Sequence, residues 1–124
     1  MSITRLGDWT LENACEDLNV LWQLANVAEV QFGVKPRDAA EAAAAATVQS
    51  LAHLGLIEVG RLSGNAINAL DSGVLEATLH HRSTWEQPAE HISEAIWYCA
   101  TDYGQEVNEK IESLGMKRAS SSLN

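Results

Sequence analysis

Positive charge is the scarcest property of this chain: 8 Lys plus Arg stand against 17 Asp plus Glu, a formal net charge of -9 over 124 residues. The acids run from Asp8 to Glu112 rather than gathering in a tail, so the folded surface itself is expected to be negative. Such a surface repels DNA, RNA and anionic lipid and disfavours nucleic acid as a partner. Cysteine is nearly absent: Cys15 and Cys99 lie far apart and outside any CxxC pair, which excludes a disulfide framework and leaves two buried or half-buried thiols. No apolar run reaches the roughly 20 residues that span a bilayer, and the alanine block 39–46 is interrupted by Glu41. Residues 1–8 lack a signal-peptide core, so a cytoplasmic location without membrane contact is expected.

Chemistry-bearing motifs are also missing. There is no Gly-x-Ser-x-Gly elbow, no phosphate-binding glycine loop and no Gly-x-Gly-x-x-Gly fingerprint. Ser72 and Ser93 read as turn or cap serines. His80, His81, His91 and Cys99 form the one grouping that suggests a metal. Adjacent histidines on a strand point to opposite faces, however, so no metal and no cofactor are expected. Without a converging set of catalytic groups, the chain reads as a non-enzyme.

What is present is a well-punctuated domain. A hydrophobic content of 46% suffices for one core. Residues 1–116 read as a single domain and 117–124, rich in serine, as a flexible C-terminal tail. Leu11, Ala14, Cys15, Leu18, Leu21, Trp22, Ala25 and Ala28 recur at helical spacing and predict one helix ending near Gly33. Val20, Leu24 and Val27 widen its apolar face, which suggests a second covering surface or a homodimer. A second helix follows Pro36 to about Leu54, with Ala39, Ala43 and Ala46 permitting close helix approach.

Gly55 then suits a left-handed cap before a strand over 56–60. Residues 61–72 read as loop-rich, with turns at Gly64-Asn65 and Asp71-Ser72-Gly73, and 74–79 as a further strand. Thr84 and Gln87 suggest a capping box for a short helix that holds Ala89 and Ile92. A strand over 96–100 leads through Thr101 into a last helix closed by Gly115. On that helix Tyr103, Val107, Ile111 and Leu114 line one side, while Asp102, Glu106, Glu109 and Glu112 face elsewhere.

The order helix, helix, strand, hairpin-like region, strand, helix is similar to winged-helix domains, an α+β fold in which a helical core packs on a small antiparallel sheet. Leu51-x-x-Leu54-Gly55-Leu56-Ile57-Glu58 resembles the recognition-helix exit of MarR-like regulators, and Thr101-x-x-Gly104 the junction that closes their wing. The span from Leu11 to Leu114 also resembles small actinobacterial proteins with a Gly-Leu-(Ile/Val)-Glu-Val-Gly strand. The resemblance implies a DNA-binding transcriptional regulator, in which Arg37, Gln49, His53 and Arg61 approach DNA and Lys117 and Arg118 contact phosphate. The region 38–54 offers little else that reads bases.

Charge therefore favours another reading: an acidic, non-enzymatic protein-binding module of the immunity or antitoxin type, which neutralises a basic partner such as a toxin or nucleic-acid enzyme. Asp102, Glu106, Glu109 and Glu112 form its expected contact surface, followed by Trp85 and Glu86. Four of the seven aromatics are tryptophans. Trp22 and Trp97 fall on apolar stripes and read as core, whereas Trp9 and Trp85 precede helices and serve either as staples or as exposed anchors.

Overall fold

A computed structural model describes residues 5–87 and 95–114. Its first helix, α1 (Arg5–Glu16), buries Leu6, Thr10, Leu11 and Ala14. The buried Thr10 hydroxyl is satisfied by donating to the Leu6 carbonyl at 2.7 Å. One continuous helix through Ala28 was expected, but the chain breaks after Glu16. The cause is local polar competition. Asp17 Oδ1 accepts from the Leu18 N–H at 2.7 Å, and the Asn19 amide donates to the carbonyls of Asn13 and Asp17, both at 2.9 Å. These bonds occupy groups that a helix would otherwise use and satisfy a carbonyl left open at its end.

The break leaves room for a short strand, β1 (Asn19–Val20), before α2 (Trp22–Val30). Both helices bury apolar residues in the same core, so their spacing runs on across the break and imitates a single helix. The wide apolar face that suggested a homodimer is covered within the chain. Val20 and Leu24 are buried, β1 pairs with a later strand, and α2 packs on α3 (Arg37–His53). Pro36 caps α3, its carbonyl accepting from the N–H groups of Ala39 and Ala40. The fully buried alanines are Ala25, Ala28, Ala40 and Ala44. Ala39 and Ala43 are half-buried and Ala46 is exposed, so the packed face of α3 lies one residue away from the expected one.

Gly55, at φ +76°, turns the chain into β2 (Ile57–Ser63), which continues well past the expected end at residue 60. The two-residue loop Gly64-Asn65, expected as a turn, returns it as β3 (Ala66–Ala69), so the hairpin-like region is a true hairpin with more strand and less loop than expected. Residues 74–79 are likewise not a strand: they belong to α4 (Ser72–Leu79), which buries Leu75 and Leu79 one turn apart. Asp71, read as a turn residue, is its N-cap and accepts from the Val74 N–H at 2.9 Å. A 3₁₀ turn at Arg82–Trp85 follows. Within it the Thr84 hydroxyl donates to the Thr78 carbonyl at 2.6 Å. The short helix expected around Ala89 and Ile92 falls mostly at 88–94, outside the described residues, as do the end of the domain beyond residue 114 and the tail 117–124.

The aromatic strand forms as expected, as β4 (Trp97–Ala100). It takes an inner position in an antiparallel sheet of order β1-β4-β2-β3. Tyr98 faces the core beneath it, and burial pushes its phenol pKa up. Thr101 then caps α5 (Asp102–Ser113) by accepting from the Gly104 N–H at 2.9 Å, while its hydroxyl donates to the Gly55 carbonyl at 2.6 Å. The result is an α+β fold, with helices packed on a small antiparallel sheet in an arrangement compatible with a winged helix.

Candidate partner-binding surface

Helix α5 is held against the body by two residues without apolar character. Gly104 is buried so close to β2 that a Cβ there would lie 2.0 Å from the Leu56 carbonyl oxygen. Asn108, one turn later, is 8% exposed. Val107 and Ile111 flank them and are half-buried. Tyr103 and Leu114, expected on the same inward side, are instead 56% and 68% exposed. The inward face is therefore rotated from the apolar stripe, because close backbone approach selects glycine where bulk would be excluded.

That rotation turns Asp102, Glu106 and Glu109 outward on one stripe, all exposed. At 1.5 Å per residue the stripe is about 10 Å long. Asp102 also lies in the first turn, where its charge favours the helix dipole. Glu112 is exposed but sits on the flank facing α1. With Glu12, Glu16, Gln105 and Glu109 it borders a groove of about 230 Å³. The acids nominated on α5 thus grade from Asp102 and Glu106, turned outward, through Glu109, exposed and bordering the groove, to Glu112 beside α1.

Trp85 and Glu86 belong elsewhere. Helix α5 packs on α1 and β4, whereas the 3₁₀ turn packs on α2 and α4. Trp85 is only 2% exposed, so it is a core residue rather than an exposed anchor. Its indole N–H donates to the Leu79 carbonyl at 3.0 Å, which satisfies the group a buried tryptophan must pair. Glu86 remains exposed, beside a recess of about 390 Å³ that Trp22, Arg37 and Arg82 also line.

Arg37, the arginine at the start of α3, is half-buried and taken up by bonds within the frame. Its Nε donates to Glu41 at 3.1 Å and its Nη2 to the Trp85 carbonyl at 3.0 Å. Nη1 bonds Asn26 and approaches Glu29 at 3.4 Å. One guanidinium therefore ties α2, α3 and the 3₁₀ turn together, a geometry its planar fork suits. The outer side of α3 carries Asp38, Ala42, Ala46, Gln49 and His53, with α4 packed against the helix and Arg82 bonded to Asp38 at 3.3 Å. Of the residues that the DNA-binding resemblance nominates, Gln49, His53 and Arg61 are exposed, and Lys117 and Arg118 lie outside the described residues.

His80 and His81 are exposed at the end of α4 rather than on a strand, and His80 Nδ1 lies 2.7 Å from the Glu76 carbonyl. His91 lies outside the described residues. Among the described residues no group of three or more His, Cys, Asp or Glu is placed to hold a metal ion. Both cysteines are half-buried and outside any disulfide, and burial together with the Glu58 charge pushes the Cys99 pKa up. Trp9, Trp22 and Trp97 are half-buried, so the two tryptophans read as core lie at its margin. The indole nitrogens of Trp22 and Trp97 are buried without a hydrogen-bond partner among the described residues.

Gly104 and Asn108 are the residues that sequence reasoning missed. Their only signal is the Thr101-x-x-Gly104 cap, which sets the phase of α5. Among the described residues no helix is long and apolar enough to cross a membrane. No family model, curated protein or solved structure matches the chain.

Proposed function

We propose that this protein is a non-catalytic binding module that uses the outward stripe of α5 to hold a basic protein, in the manner of an immunity or antitoxin protein neutralising a toxin or nucleic-acid enzyme. The observation that carries the reading is the outward placement of Asp102, Glu106 and Glu109 together on a chain of net charge -9. Exposed carboxylates in such a field raise the encounter rate with a cationic surface and orient it before contact, an effect that falls with salt. Glu112 adds negative charge beside α1, whereas Glu86 lies apart, next to the 3₁₀ turn, and does not join the stripe.

The competing reading, a DNA-binding transcriptional regulator, draws support from the winged-helix-like arrangement alone. The outer side of α3 offers it Gln49 and His53, but opposes it with Asp38 and alanine methyls and with no exposed lysine or arginine for phosphate. Affinity capture from the native host separates the two. A basic protein recovered in equimolar amount, and released by salt, supports the proposal. Recovery of specific duplex DNA instead refutes it.

A further inference from the structure

Beside its acidic stripe, α5 carries an apolar flank that is left uncovered among the described residues. Tyr103 and Leu114 are 56% and 68% exposed, and the half-buried Val107 and Ile111 continue the flank toward the core. At about 100° and 1.5 Å per residue, the flank runs parallel to the carboxylates and extends about 16 Å from Tyr103 to Leu114. Tyrosine is a residue enriched among interface anchors, because its ring buries much area with few rotors to freeze.

We propose that this flank docks an amphipathic basic helix of the partner protein, whose aliphatic side lies on Tyr103, Val107 and Leu114 while its lysines or arginines meet Asp102, Glu106 and Glu109. The inference rests on the acidic-module reading and specifies the partner's contacting element. Charge complementarity decides the occupant. A second copy would bring another net charge of -9 against the same helix. A cationic helix removes the repulsion and follows the same axis. Lys110 sits at the boundary of the two stripes in the last turn, so the partner's cations align with the first two turns of α5.

The test uses the full chain and two labelled peptides: an amphipathic helix of leucine and lysine, and a control of equal charge with serine replacing each leucine. Fluorescence anisotropy at low salt should show the leucine peptide binding at least about tenfold more tightly than the control. Tyr103→Ser with Leu114→Ser should abolish that advantage while leaving control binding and the melting temperature unchanged. Glu106→Gln with Glu109→Gln should weaken both peptides.

Equal binding of the two peptides to the native chain, or indifference to the Tyr103→Ser and Leu114→Ser changes, overturns the docking proposal and leaves the acidic-module reading standing. Indifference to Glu106→Gln and Glu109→Gln, or no binding of either peptide, overturns both. A native dimer in sedimentation that the flank substitutions dissociate assigns the flank to a second copy and also overturns the proposal.

Discussion

Helices α3 and α5 both show a side to solvent, yet the frame uses them in opposite ways. Helix α3 is built into the fold: α2 packs on one side, α4 on another, and Arg37 at its start is bonded to Glu41, Glu29, Asn26 and Trp85. What it shows outward is Asp38, two alanine methyls and, toward its end, Gln49, Ser50 and His53. Helix α5 contacts the body through α1 and β4, with Gly104 closely approaching Leu56, and exposes four carboxylates, with Tyr103 and Leu114 as large apolar side chains. The two helices thus differ in what they expose: α3 is tied into its neighbours along much of its length, whereas α5 shows solvent a row of carboxylates beside apolar side chains.

The contrast can be broken hardest on the α3 side. Trp85→Ala removes a buried indole and its bond to Leu79, and should cost about 3–5 kcal/mol in denaturant unfolding. A loss below about 1 kcal/mol would show that the 3₁₀ turn is not part of the core. Next in size, Gly104→Ala places a methyl against the Leu56 carbonyl and should destabilise by about 1–3 kcal/mol, with faster amide exchange along α5. Unchanged exchange there would contradict the close approach.

Arg37→Lys keeps the charge but loses the fork, and should cost about 1–2 kcal/mol with exchange rising at residues 82–87. Glu106→Lys with Glu109→Lys, in contrast, should change stability by less than about 0.5 kcal/mol, since both residues are exposed. The smallest effect concerns Cys99. Its raised pKa keeps the thiol protonated at neutral pH, and Glu58→Gln removes a negative charge that disfavours the thiolate. Alkylation of Cys99 at pH 8 should therefore become modestly faster in the variant. A slower or equal rate would show that the Glu58 charge does not act on the thiol.

These effects also mark what could be read in advance. The Pro36 start of α3, the Gly55 turn into β2, the aromatic β4 and the Thr101 cap were legible because each has a local chemical cause. The break at Asp17–Asn19 was hidden because two helices serving one core kept a nearly continuous spacing. Helix α4 was mistaken for a strand because Asp71 can begin a turn or cap a helix, and only Leu75 with Leu79 decides between them. The acidic stripe of α5 was legible from spacing. The burial of Trp85 and the inward role of Gly104 and Asn108 were not, since both depend on neighbours distant in sequence.

The most direct measurement compares association rates of the captured basic partner with two charge-reversed chains across a salt series. Glu106→Lys with Glu109→Lys is predicted to slow association at least about tenfold at low salt and to flatten its salt dependence, while Asp38→Lys on α3 leaves the rate within about twofold of the native value. The reverse pattern, with Asp38→Lys slowing association and the α5 variant binding normally, would place the working surface on α3 and contradict this account.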